Sequence, residues 1–209
     1  MLGIHDFWLF VAAGLVLNVT PGPDTFYILG RSVSQGRAAG LLSALAITTG
    51  CLFHTTAAAL GLSVILARSA MAFQIVRYAG AASLVFLGFR MIFSGATELD
   101  GTTRSPARQS LWVIYRQGVI TNVLNPKVAL FFLAFLPQFI DPKTPTRVSA
   151  FLLLGAVFMF NGTLWCLLLA WFAGSVSEKV RANPRAQIAM KRGTGALFIG
   201  LGTKLAVDR

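Results

Sequence analysis

Two short polar stretches in an otherwise oily chain hold the residues with chemistry to offer: Asn18-Val19-Thr20-Pro21-Gly22-Pro23-Asp24 and Asn122-Val123-Leu124-Asn125-Pro126-Lys127. Each combines amides and a charge with proline, which removes a backbone donor and disturbs the preceding turn, so each is expected to break a helix. Pro23 and Pro126 lie 103 positions apart, and the same shift lays Asp24 on Lys127 and the run 26–29 on 129–132. One knot carries an acid where the other carries a base. Either charge placed alone in lipid costs about 3 kcal/mol or more, so both read as site residues.

The breaks themselves supply binding groups. A helix that starts at Pro23 or Pro126 leaves its first amides without intrahelical partners, and Asn125 stands where an N-cap asparagine belongs. If the two helix starts meet near the bilayer midplane, their positive ends can receive a carboxylate while Asp24 accepts an ammonium group, an arrangement suited to a zwitterion. Lys127 opposes the helix dipole at its position and needs a compensating partner, for which Asp24 is the candidate. Two readings follow: a buried Asp24–Lys127 ion pair that locks two halves together, or a pair that opens or exchanges a proton when substrate binds. Tyr27, one turn beyond Pro23, either reaches the same cavity or sits at an interface. Asn18, Pro21, Gly22, Pro23, Asp24, Tyr27, Asn122, Asn125, Pro126 and Lys127 are therefore the candidate substrate-binding residues, with Asp24 as the candidate proton carrier.

The elements that must hold these residues are membrane helices. Of 209 residues 56% are apolar and only 12% charged, and the mean hydropathy is +0.71; a soluble domain carries about a quarter charged residues. Spans of about 20 apolar residues are expected at 5–29, 41–66, 71–94, 111–139 and 149–172, with a shorter sixth at 193–207. The first and fourth contain the knots, and a polar turn is expected over 30–40. With no basic n-region ahead of it, the first run reads as a span and not as a removed signal peptide.

Six spans divide into three plus three, and because three is odd the second half must enter from the opposite side, an inverted repeat. The expected architecture is thus all-α and polytopic, a single transport domain over 1–209 with repeats at 1–94 and 111–209. Leu87-Gly88-Phe89-Arg90 echoes Leu201-Gly202-Thr203-Lys204 in support.

Topology follows from the lysines and arginines beside the spans. Arg31, Arg37, Arg104, Arg108, Arg116, Lys179, Arg181, Arg185, Lys191 and Arg192 fall on one side; Arg68, Arg77, Lys143, Arg147, Lys204 and Arg209 fall on the other. The richer side is assigned to the cytoplasm, which puts both termini outside, in the periplasm.

The net charge of +11 is scattered through short connections, with no basic tract or aromatic platform for nucleic acid. Cys51 and Cys166 lie inside apolar runs and read as buried small hydrophobes rather than a disulfide or metal pair. No nucleophile constellation, metal cluster or phosphate loop emerges, so an enzyme is not expected and no cofactor is called for. The threonine band of the second span (Thr48, Thr49, Thr55, Thr56, with His54) either bonds its own helix or lines a path, and a channel would have to use it. A channel and a purely structural membrane protein with a dry Asp24–Lys127 contact are the competing readings.

Pro21-Gly22-Pro23, Asn122 through Lys127 with Ala129-Leu130-Phe131-Phe132 behind it, and the glycine pattern of spans 3 and 6 resemble the LysE superfamily of amino-acid exporters, and within it the RhtB branch of homoserine and threonine efflux proteins. The resemblance covers essentially the whole chain. It implies a bacterial inner-membrane exporter of amino acids or close derivatives, driven by the proton-motive force, with room for a homodimer. Asp24 takes the place of the acid after Pro-Gly-Pro, and Asn125, Pro126 and Lys127 match the second motif. The branch spans threonine, homoserine and its lactone, branched-chain residues and lysine, so the resemblance leaves the substrate open.

Overall fold

The computed structural model describes residues 2–62 and 109–173, with isolated helical positions between 71 and 93 and between 188 and 207. Both proline knots break their helices. α1 (Phe7–Val19) stops short of Pro21 and α2 (Pro23–Gln35) starts on Pro23. After α3 (Arg37–Ala57), α4 (Leu111–Val123) stops short of Pro126, on which α5 (Pro126–Leu130) starts. α1 and α4 are both 13 residues long. Asn125 caps α5 as its type and position predict, its Oδ1 accepting the Lys127 N–H at 3.0 Å. α5 runs on through a wide π turn at Phe131–Phe135 and a tight 3-10 turn at Leu136–Phe139, and this half is bent by 44° from α4. α6 (Arg147–Trp171) is unbroken.

The polar turn expected over 30–40 is absent. α2 continues to Gln35, and the chain turns on Gly36 alone, at φ 88°, before α3 starts. That left-handed angle is open to glycine without a Cβ penalty. The polar residues stay helical because each finds a partner. Arg31 bonds Gln35, Gln109 and Gln117, and Ser34 bonds the Gly30 carbonyl one turn back. Arg31 is consequently buried, not part of an exposed connection.

The fold is all-α, and its outward face is apolar. Trp8, Trp112, Phe160 and Leu124 point outward while Asn122, Asn125, His54 and Lys127 are buried, the reverse of a water-soluble protein. Against the expected six spans, two helices among the described residues are long and apolar enough to cross a membrane, at Arg37–Gly61 and Arg147–Trp171. The bent pair Leu111–Val123 with Pro126–Phe139 is a third if taken as one crossing. α1 is too short alone, and the third and sixth expected spans, their glycine echo and the connections beside them lie outside the described residues.

α3 packs against α2, α4 and α6, and small residues let it approach them closely. A Cβ on Gly50 would sit 2.7 Å from Asn122 Cβ and 2.9 Å from the Val119 carbonyl oxygen, and one on Gly118 would sit 2.6 Å from Ala46 Cβ. Arg37 stacks over the Trp171 ring at 4.3 Å and ties the start of α3 to the end of α6. One apolar cluster, built on Phe10, Phe131, Phe135, Phe139 and Phe158, joins α1, the continuation of α5, and α6. A second, with Ile28, Ile47, Cys166 and Leu169, joins α2, α3 and α6.

Candidate functional site

The two breaks face one another, and the groups freed by each are bonded by residues from elsewhere in the fold. In an unbroken helix the Leu17 carbonyl would receive the N–H of residue 21, but Pro21 has none. Lys127 Nζ replaces it, donating to Leu17 O at 3.0 Å and to Thr20 O at 2.9 Å. Gly22 permits this approach, since a Cβ there would lie 3.2 Å from Nζ. The second break repeats the logic. Pro126 cannot serve the Asn122 carbonyl, and His54 Nε2 reaches it at 3.1 Å, joined by the Asn125 N–H at 2.9 Å. A carbonyl only accepts, so in this contact Nε2 carries the proton.

Asp24 is also held from the opposite break. Its Oδ2 accepts Asn122 Nδ2 at 2.8 Å and Asn125 Nδ2 at 2.9 Å. The expected Asp24–Lys127 ion pair is not formed: the one ion pair among the described residues joins His5 to Asp6 at the surface. The physical reason is competition. Lys127 is drawn to two carbonyls at the end of α1, that of Thr20 and that of Leu17, whose in-helix donor Pro21 lacks, and Asp24 has two amide donors beside it. Asp24 Oδ1 is buried without a hydrogen-bond partner.

A cavity of about 40 Å³ lies at this junction, and Asn18, Asp24, Asn122 and Lys127 line it. Its volume has room for a few water molecules. Asn125 belongs to the site through Asp24, while Pro21, Gly22, Pro23 and Pro126 shape the breaks without lining the cavity. Tyr27 does not reach it. The Tyr27 hydroxyl donates to the Ile114 carbonyl at 2.6 Å and braces α2 against α4.

The threonines of α3 mostly serve their own helix, each bonding the carbonyl four residues back. Of that band Thr48 lines the cavity, where its hydroxyl also meets Thr163 at 2.8 Å. α6 contributes residues that were not singled out as site residues: Gly162, Thr163, Trp165 and Cys166. The signal was present in Asn161-Gly162-Thr163, a polar notch in a helix that is otherwise almost entirely apolar. Both cysteines are free, buried and on the cavity wall.

The model of the LysE type translocator family matches residues 15–209. An uncharacterised membrane protein of Pseudomonas aeruginosa is 30% identical over 208 residues, covering 98% of this chain and 96% of that protein. The uncharacterised membrane protein YrhP of Bacillus subtilis is 28% identical over 98% of this chain and its own full length. A leucine efflux protein of Salmonella typhimurium is 25% identical over 98% of this chain and 96% of its own. No solved structure matches the chain at a significant level. The buried charges at paired helix breaks and the match along nearly the whole chain lead to one assignment: the protein belongs to the LysE type translocator family, a multi-pass transporter of the bacterial inner membrane and not an enzyme.

Proposed function

We propose that the protein is a secondary active exporter of amino acids or close derivatives, with Asp24 as the group that takes the substrate ammonium and carries the coupled proton. The observation that carries this reading is the state of the Asp24 carboxyl: one oxygen is fixed by two amides, and the other is buried on the cavity wall without a partner. A lone intramembrane acid held in place with a free oxygen can bind a cation or a proton in turn. The leucine efflux proteins among its relatives support an amino acid as cargo. Threonine, homoserine, its lactone and other small neutral or basic amino acids, the range of the RhtB branch, are the panel to test.

The architecture we propose is six spans as a three-plus-three inverted repeat, over 1–94 and 111–209. It is supported by two 13-residue helices that are each followed by a helix starting on proline, with Asp24 and Lys127 at the second position of that next helix. The expected sidedness has support as well. At one end Gly3 and His5 pair with Phe139 and Asp141; at the other, Gln35 and Gln109 exchange hydrogen bonds. With the cation-rich second end in the cytoplasm, both termini face the periplasm. The cavity is too small for an amino acid, so export requires the two breaks to separate.

Two features stand against the competing readings. A structural protein held by a dry Asp24–Lys127 contact requires a pair that is not formed, and a threonine-lined channel requires hydroxyls that are instead bonded to their own helix. The test is efflux from cells preloaded with labelled amino acids, comparing the native protein with Asp24→Asn and repeating the assay with the proton gradient collapsed. The expected result is gradient-dependent loss of at least one compound with the native protein only. If no member of the panel leaves faster with the native protein, the exporter reading fails.

A further inference from the structure

Buried polar atoms in folded proteins nearly always have hydrogen-bond partners, so the few that lack one mark places where something else is received. Among the described residues five buried side-chain atoms have none, and four of them belong to residues lining the cavity at the paired breaks: Asn18 Nδ2, Asp24 Oδ1, Asn122 Oδ1 and Trp165 Nε1. The fifth, Ser32 Oγ, belongs to a residue that does not line it.

The four sort by chemistry and by position. Asp24 and Asn122, joined by their own hydrogen bond, each leave an acceptor bare. Asn18 and Trp165 each leave an N–H donor bare. These donors are neighbours too. Asn18 lies against Gly162, where a Cβ would come within 3.3 Å of Nδ2, and Trp165 is three residues further along α6, on the same helix face. The acceptors therefore come from α2 and α4, and the donors from α1 and α6. Lys127 also lines the cavity, with its ammonium engaged by the Leu17 and Thr20 carbonyls. The rest of the wall has no charged group: it is formed by apolar residues, Leu17, Ile47, Val128, Phe158 and Met159 among them, and by Thr25, Thr48 and Thr163, of which the last two bond each other.

We propose that Asn18 and Trp165 form the carboxylate half of the substrate site, opposite an ammonium half formed by Asp24 and Asn122, and that the remaining wall, apolar but for three threonines, selects a zwitterionic amino acid with an uncharged side chain. This rests on the exporter reading and deepens it. It moves the carboxylate from the helix starts to two side-chain donors, neither of them a charged group. Indole N–H and carboxamide N–H can bind a carboxylate but cannot neutralise it, so the substrate must bring its own cation to Asp24. A charged side chain would lie unpaired against apolar groups and is disfavoured.

The test uses the purified full-length protein in proteoliposomes, with labelled leucine as probe. Unlabelled leucine, lysine, leucinol and isoamylamine compete; the last two keep the ammonium group and lack the carboxylate. In the native protein leucine is expected to compete about tenfold or more better than leucinol or lysine, the scale of one hydrogen bond to a charged group. Trp165→Phe, which deletes only the donor, and Asn18→Leu are each expected to raise the half-saturation for leucine about tenfold while leaving competition by isoamylamine unchanged. The proposal is overturned if these variants weaken leucine and isoamylamine alike, or neither, or if native protein does not distinguish leucine from leucinol. The native comparison stands even where a variant fails to fold. Liposomes that move no amino acid at all would overturn the exporter reading with it, whereas movement without this discrimination overturns the present proposal alone.

Discussion

Asp24 and Lys127 occupy the same second position of α2 and α5, yet neither binds the other: each is held by the break in the opposite broken helix. The two charges thus couple the halves without neutralising each other in direct contact. Lys127 closes the frayed end of α1, and Asp24 is steadied by amides at the junction of α4 and α5. Their roles separate accordingly, one structural and one available to a ligand.

That separation predicts different phenotypes. Lys127→Met removes the donor that serves the Leu17 carbonyl in place of the N–H that Pro21 lacks, and is expected to destabilise by about 2 kcal/mol, the scale of one buried acceptor left unpaired. Asp24→Asn keeps a similar shape and is expected to abolish export with protein abundance nearly intact. Thermal unfolding of both variants in detergent, set beside efflux, checks the contrast. Equal loss of stability in the two would show that the charges form one structural unit.

Proline chemistry makes a sharper prediction. Pro21→Ala restores an N–H that can serve Leu17 O from within the helix, the bond that Lys127 now replaces. The double variant Pro21→Ala with Lys127→Met should therefore be less destabilised than Lys127→Met alone, by about 1 kcal/mol or more. Export should still fall, because straightening the break moves Asp24. Strict additivity of the two effects would mean that the missing proline donor is not what positions the lysine.

How much of this was legible beforehand divides along a physical line. Local chemistry was readable: proline removes a donor, asparagine caps, and long apolar runs make spans, so both breaks, the Asn125 cap and the long helices α3 and α6 lie close to where residue types place them. Partner choice was not. Nothing in the spacing of Asp24 and Lys127 states that backbone carbonyls at the break compete for the ammonium more successfully than a carboxylate. The extent of α2 was hidden for the same reason, since Arg31 and Gln35 look like loop residues until Gln109 and Gln117, far along the chain, are brought beside them. Nor does sequence position decide between the two readings of Tyr27, which braces α2 against α4, or mark Trp165, three residues beyond Gly162, as a residue of the cavity wall.

The glycines provide an internal control. Gly50→Ala places a methyl group against Asn122 and the backbone of Val119, so α3 and α4 must move apart. A loss of about 1–3 kcal/mol and impaired export are expected, because Asn122 also holds Asp24. Gly30→Ala meets nothing within 4 Å, and inside α2 it should be neutral or stabilising by up to about 1 kcal/mol. Unfolding midpoints of the two variants in the same detergent decide the matter.

The Arg31 cluster predicts how the expected cytoplasmic end is held. One guanidinium spans three glutamines and lies 5.6 Å from the Tyr27 ring, while Gln35 and Gln109 bond each other's backbone or side chain in return. The fork geometry matters more than the charge, since a lysine ammonium is a point donor on a flexible stem and cannot bridge acceptors spread around a plane. Arg31→Lys is thus expected to destabilise by about 1–2 kcal/mol, nearly as much as Arg31→Met. A lysine variant as stable as the native protein would show that charge alone suffices there.

The two native cysteines allow movement at the site to be followed directly. Cys51 and Cys166 both line the cavity, and both are buried in this closed arrangement. If export proceeds by separation of the two breaks, a small membrane-impermeant thiol reagent should modify them slowly, from one side of the membrane at a time, and modification should block efflux. An exported amino acid should slow the labelling by occupying the same space, and replacing both cysteines with alanine should abolish the block while preserving transport. Labelling rates in oriented vesicles, with and without substrate, measure this. Modification at equal rates from both sides would point to a continuous pore and count against alternating access.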